Sequence, residues 1–143
     1  MTPDERVHES FGRQGLMTTL GARITHVDAG EVDVELPFDE RLTQQHGYLH
    51  AAVLSAALDS ACGYAALTLM PADRAVLSVE FKVNLLAPAI GERFLARGRV
   101  LRSGRTLTVC RGDAVAFTGD EERHIATMTA TMMAVASAGE RVD

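Results

Sequence analysis

The segment from Leu49 to Leu69 is rich in alanine, free of proline until Pro71, and apolar on nearly every side when wound as a helix. It is too long to be one strand, and a helix without a polar face has to be covered on most of its sides. That demand constrains the fold more than any other feature of the chain. Between Arg41 and Asp73 the only Lys, Arg, Asp or Glu is Asp59, which has no charged neighbour to pair with locally. A bilayer could cover such a helix, but an aspartate at the centre of a spanning segment costs about 2.5–3.5 kcal/mol on the insertion scale. Burial inside a soluble domain fits better, and no membrane span is expected.

The remaining segments supply the cover. Glu31 to Phe38 alternates strictly, with Val32, Val34, Leu36 and Phe38 on one face and Glu31, Asp33 and Glu35 on the other, as in a half-buried strand. The turn signal Asp28-Ala29-Gly30 precedes it, with a partner strand predicted from about Met17 to Val27. After the helix, Ala75 to Leu86 alternates with Leu77, Val79, Phe81, Val83 and Leu85 on one face and Ser78, Glu80, Lys82 and Asn84 on the other. Strands are predicted at Phe94–Arg102, Thr106–Phe117 and Arg123–Ala136, separated by the turn signals Ser103-Gly104 and Thr118-Gly119-Asp120. A short helix over about residues 3–14 is predicted from Thr2 at the N-cap, Pro3 and Glu5, with Gly15 as its stop. One long helix and strands with single apolar faces imply an α+β architecture, one curved antiparallel sheet wrapped round a long central helix.

At 143 residues the chain is sized for one domain, residues 1–143, and no linker, repeat or low-complexity tract divides it. The net charge of -5 and the lack of a Lys/Arg run argue against a nucleic-acid backbone as partner, and an aromatic content of 5% without Trp argues against base stacking. The start MTPDERVHES is acidic and polar where a secretory signal is basic and then apolar, so a cytoplasmic location is expected. Cys62 and Cys110 lack metal-ligand spacing, and two buried free thiols are expected with no metal site.

The residues before and within the helix read Gln44-x-x-Gly47-x-x-His50-Ala51-Ala52, with Asp59 seven positions further on. This order puts free backbone N–H groups of Ala51 and Ala52 at the N-terminus of a buried helix, where unpaired donors and the helix dipole favour developing negative charge. His50 and Asp59 are nine residues apart, two and a half turns, so their side chains point to opposite faces. Asp59 therefore has to meet the helix N-terminus of another subunit for acid and donors to converge.

At these residues the chain resembles the PaaI-like acyl-CoA thioesterases of the hotdog fold, whose pattern is Asn, two residues, Gly, two residues, His-Gly-Gly and an acidic residue seven positions on. The resemblance continues through "SVEFKVNLLAPAIGERFLARGRVLRSGRT", residues 78 to 106, and covers about residues 15 to 135. It implies a fatty or aromatic acyl-CoA thioester as substrate and a free acid and CoA as products. Asp59 would be general base or nucleophile, the Ala51 N–H would polarise the carbonyl, Gln44 would orient carbonyl or water, and Ser78 would assist Asp59. His50 is a further site candidate, and Gly47, Ala52 and Gln45 would touch substrate. Of Arg97, Arg99, Arg102 and Arg105, the pair Arg102 and Arg105 are candidates for the CoA phosphates. No cofactor is implied beyond the CoA of the substrate, and the shared site implies a homodimer or homotetramer. Ala51-Ala52 replaces the pattern's Gly-Gly, keeping both donors and adding methyl groups, and Gln44 is one methylene longer than Asn, so its role can pass to Gln45 or His46. Alternation puts Ser78 on the face of Glu80 and Lys82. The competing readings are an acyl-CoA-binding hotdog module without turnover and a hotdog hydratase or dehydratase, the latter disfavoured by the His50–Asp59 spacing.

Overall fold

The computed structural model describes residues 1–137. Helix α1 spans Pro3–Gly12 and opens on a capping box: Thr2 Oγ1 accepts from the Glu5 N–H at 3.1 Å, and Glu5 Oε2 accepts from the Thr2 N–H at 2.8 Å. Gly15 does not stop this helix. The chain turns at Arg13, and Gly15 opens a second short helix, α2 (Gly15–Leu20). The strand predicted from Met17 starts only at Arg23, because Met17 and Leu20, three apart and so on one helical face, are both buried in the core. Gly21, at φ 67°, ends α2 in the left-handed conformation and redirects the chain into β1 (Arg23–Asp28).

Strand β2 (Glu31–Pro37) pairs with β1 and buries Val32, Val34 and Leu36 as the alternation predicts, but the strand ends before Phe38, which is exposed, and Asp33 on the opposite face is also buried, paired with Arg99. A short 3₁₀ turn (Glu40–Leu42) leads to the long helix α3 (Ala51–Leu67), followed by β3 (Arg74–Leu85), β4 (Arg93–Ser103), β5 (Leu107–Thr118) and β6 (Glu121–Ala136). The six strands form one antiparallel sheet in the order β1-β2-β4-β5-β6-β3. The core lies between this sheet and α3, where Leu58, Ala61, Cys62, Ala65 and Ala66 are fully buried. Among the described residues no helix is long and apolar enough to cross a membrane.

The helix reaches the sheet most closely over two glycines. Gly98 and Gly112 are partners across β4 and β5, and a Cβ at Gly98 would collide with the backbone carbonyl of Ala61. A Cβ at Gly112 would stand 3.0 Å from Cys62 Sγ. Small residues on α3 and glycines beneath them set this spacing.

Strand β3 is an edge strand, and its faces differ from the predicted alternation. A β-bulge falls between Ser78 and Glu80, leaving Val79 as the extra residue. Before the bulge Ser78 lies opposite the buried Met132, and after it Phe81, Val83 and Leu85 lie opposite Ala130, Met128 and Ala126, also buried. Ser78 therefore shares the helix-facing side with Phe81, Val83 and Leu85, while Glu80, Lys82 and Asn84 face outward.

Two anchors fix the ends of α3. At its C-terminus the Arg6 guanidinium donates to the carbonyls of Met70 and Pro71, each at 2.9 Å, and to that of Arg74. Thr68 Oγ1 accepts from the Gly30 N–H at 2.8 Å, tying the helix to the β1–β2 turn. At its N-terminus the Leu49 N–H donates to Ala89 O at 3.2 Å and the His50 N–H to Leu42 O at 2.9 Å.

Candidate functional site

The loop before α3 is braced by Gln44. Its side-chain Oε1 accepts from the N–H groups of His46 at 2.5 Å and Tyr48 at 3.2 Å, and its backbone pairs with Tyr48 O and the Gly47 N–H. Gly47 sits at φ 83°, a conformation that side chains resist, so the loop needs glycine there. With its oxygen engaged, Gln44 keeps its amide NH₂ for other partners. Gln45 and His46 are exposed on the same loop.

His50 is the N-cap of α3. Its Nδ1 accepts from the Ala52 N–H at 2.9 Å, so the ring acts as a neutral acceptor at Nδ1, with the proton on Nε2. Of the two donors expected to be free, Ala52 is thus occupied by the cap. The Ala51 N–H has no acceptor among the described residues. Ala51 lines an open, mostly apolar cleft of about 470 Å³ together with Gln44, Tyr48, Leu54, Leu85 and Pro88.

Asp59 stands elsewhere. It is half-buried rather than enclosed, and Ser78 Oγ donates to its Oδ1 at 2.6 Å while lying 3.4 Å from Met132 Sδ. The bulge at Val79 makes this contact possible, since it turns Ser78 toward the helix. Asp59 and Ser78 line a second chamber of about 130 Å³, shared with Gln14, Ser60, Tyr64 and Val76. The eight residues from Ala51 to Asp59 correspond to a rise of about 12 Å, and the two cavities have no lining residue in common. Within one chain the carboxylate and the free donor do not converge.

Arg97 pairs with Glu122 at 3.4 Å and Arg99 with Asp33 at 2.7 Å on the outer face of the sheet. Arg102 and Arg105 flank the β4–β5 turn, exposed and without an ion pair among the described residues. Both cysteines are buried free thiols, as expected. Burial raises Cys110 to about 12, and burial, then Cys110 and Asp59, push Cys62 higher still, so neither supplies a thiolate nucleophile at neutral pH. Among the described residues one group of potential metal ligands, His26, Asp28 and Glu31, lies on the β1–β2 hairpin, where His26 and Glu31 already pair at 3.0 Å.

Gln14, Ser60 and Tyr64 were not singled out in the sequence. Gln14 is separated from Asp59 by most of the first sheet hairpin and the site loop, and no periodicity links α1 and α2 to the middle of α3. Ser60, beside Asp59 and the most polar neighbour it has in the helix, was the one available signal.

The molecule thus combines a buried apolar helix that has a capped N-terminus and one carboxylate at mid-length with a six-stranded antiparallel sheet beneath it. The family model described as the thioesterase superfamily matches residues 46–122, which run from the site loop through the helix to the start of β6. The chain belongs to the thioesterase superfamily. A protein of Saccharolobus solfataricus that bears an esterase name is 32% identical over 108 residues, 75% of this chain and 76% of the relative. The crystal structure of a thioesterase family protein from Silicibacter pomeroyi is 56% identical, with a TM-score of 0.93 over 94% of this chain and 99% of that one. The E. coli PaaI protein has the same fold, with a TM-score of 0.84, 17% identity and 94% of each chain covered. This thioesterase superfamily member has the hotdog fold and is a thioester hydrolase.

Proposed function

We propose that the protein hydrolyses acyl-CoA thioesters at a site assembled from two copies of the chain, Asp59 and Ser78 from one and Ala51 with Gln44 from the other. The observation that carries this reading is the separation of the two halves. A carboxylate held by Ser78 opens on one cavity, a helix N-terminal donor without an acceptor among the described residues opens on another, and the two cavities share no lining residue. The edge strand supports a second copy: Phe81 and Leu85 are 45% and 53% exposed, Leu85 lines the cleft at Ala51, and an apolar edge strand left bare is an aggregation liability.

In this reading the Ala51 N–H, backed by the α3 dipole, donates to the thioester carbonyl oxygen and stabilises the oxyanion as it forms. Asp59 either takes a proton from water as it attacks or attacks the carbonyl itself to give a mixed anhydride that water then opens. CoA leaves as the thiol, and the acyl group leaves as the free acid. Ser78 orients the carboxylate through its donated hydrogen bond. Gln44 presents its amide to carbonyl or water. His50 and Gly47 act on the shape of the site, one by capping α3 and the other by permitting the loop turn, while Ala52 and Gln45 border the substrate path. Arg102 and Arg105, which form no ion pair among the described residues, are available to CoA phosphates.

The test is thiol release from short, medium, long and aromatic acyl-CoAs, run beside Asp59→Asn. Release that falls by three orders of magnitude or so in the variant, with fold and assembly unchanged, supports the reading; equal rates in the two proteins would sink it. An acyl-CoA that binds tightly to wild type but never yields thiol would point instead to a binding module.

A further inference from the structure

The N-terminal segment places one amide beside Asp59. Ser60 Oγ donates to Gln14 Oε1 at 3.1 Å, Gln14 Nε2 donates to the Tyr64 phenol oxygen at 2.9 Å, and Ser10 Oγ shares a 3.1 Å hydrogen bond with the same phenol. These bonds hold the Gln14 amide from both ends and leave it half used. One of its N–H groups and one Oε1 lone pair have no partner among the described residues. Asp59 is similar: Ser78 occupies Oδ1, and Oδ2 has no partner among the described residues. Both groups line the same chamber.

This placing of Gln14 has a local cost. It is the N-cap residue of α2, a position where Ser, Thr, Asn and Asp bond the first turn of a helix, and its side chain makes no such bond. The side chain goes instead to Ser60 and Tyr64 of α3. Other contacts already dock the segment. Phe11 meets the Tyr64 ring edge-on with centroids 6.0 Å apart, and Arg6 grips the carbonyls at the end of α3. Neither contact requires an amide next to Asp59.

The chamber suits water. Of its described lining residues only Gly63 and Val76 lack a polar side chain, and 130 Å³ is room for about four waters at the ~30 Å³ each takes in the liquid. A buried water needs about two to four polar partners. Gln14 and Asp59 offer two with unused capacity, on opposite sides of one small space.

We propose that Gln14 is a further catalytic residue, which holds, opposite Asp59, the water that attacks the thioester. The assignment rests on the thioesterase reading above and takes water, not Asp59, as the nucleophile. With one hydrogen on Gln14 Oε1 and the other on Asp59 Oδ2, the water keeps its lone pairs for the carbonyl carbon. Asp59 takes its hydrogen as the new C–O bond forms. The tetrahedral adduct then collapses, the C–S bond breaks with its electron pair on sulfur, and Asp59 returns the proton to the thiolate. Acid and CoA thiol leave.

The experiment measures thiol release from benzoyl-CoA and octanoyl-CoA, with and without methanol as a competing nucleophile, for wild type, Gln14→Met and Gln14→Ala. Methionine keeps the length and packing of the side chain without its amide, so it guards against a folding defect. Both variants should lower kcat by about 10–100-fold, the worth of one hydrogen bond at a charged group, with KM within about twofold of wild type. The ratio of methyl ester to free acid should rise in both, because methanol no longer competes with a water already held in place. A variant that lowers ester and acid by one common factor, or that raises KM alone, would show Gln14 to be structural and overturn the proposal. Variants that match wild type in kcat and in product ratio overturn it as well. In each of those cases wild type still releases thiol and the thioesterase reading stands, whereas no release by wild type from any acyl-CoA removes both.

Discussion

At Ala51 the difference between a helix start and an oxyanion site is one backbone hydrogen. His50 already satisfies the Ala52 N–H, which leaves the Ala51 N–H as the donor that no group of the described chain uses. The position offers a clean substitution. Proline is well tolerated at the first residue of a helix, and the extended backbone of His50 (ψ 138°) suits a residue that precedes proline. Ala51→Pro should therefore keep helicity by circular dichroism and lower kcat by about 10²–10³, the loss typical of one oxyanion donor. His50 separates in the opposite direction. His50→Asn should retain both stability and turnover because Asn also caps, whereas His50→Ala should lower stability by about 1 kcal/mol in urea denaturation. Loss of turnover in His50→Asn with stability intact would show that the imidazole does more than cap.

Among the elements, β3 and the β4–β5 pair decide how α3 is presented. The extra residue at Val79 carries Ser78 onto the helix side, and strict alternation would have left it outside with Glu80 and Lys82. The glycines opposite Ala61 and Cys62 do the complementary work by letting α3 sit close enough for its short side chains to fill the core. Gly98→Ala should lower unfolding stability by about 1–3 kcal/mol through overpacking, seen as a lower denaturation midpoint with an unchanged slope. An unchanged midpoint would mean that α3 can move away from the sheet without loss.

For the whole molecule, the consequence of two half-sites is complementation. If each site takes Asp59 from one copy and the Ala51 N–H from the other, Asp59→Asn and Ala51→Pro are each inactive alone. Denatured and refolded together in equal amounts, they should recover roughly a quarter of wild-type activity, because half the dimers are mixed and each mixed dimer holds one intact site of two. No recovery would mean that both groups serve the same subunit's chemistry. The central helix, the β2 alternation, the capping box at Thr2 and the two buried thiols were all legible in the sequence, because each depends on periodicity or on residues close together in the chain. The residue pattern around His50 and Asp59 likewise suggested a candidate site before any coordinates, and the nine-residue spacing disfavoured a His50–Asp59 pair on one face. Three features were decided only by tertiary structure: the helix at Met17–Leu20, the bulge that turns Ser78 inward, and the hydrogen bonds that join Gln14 to Ser60 and Tyr64. Each depends on which distant segment packs against a residue. A run of local side chains determines how a segment pairs with water or with itself, but the partner that removes it from water is chosen by the folded chain.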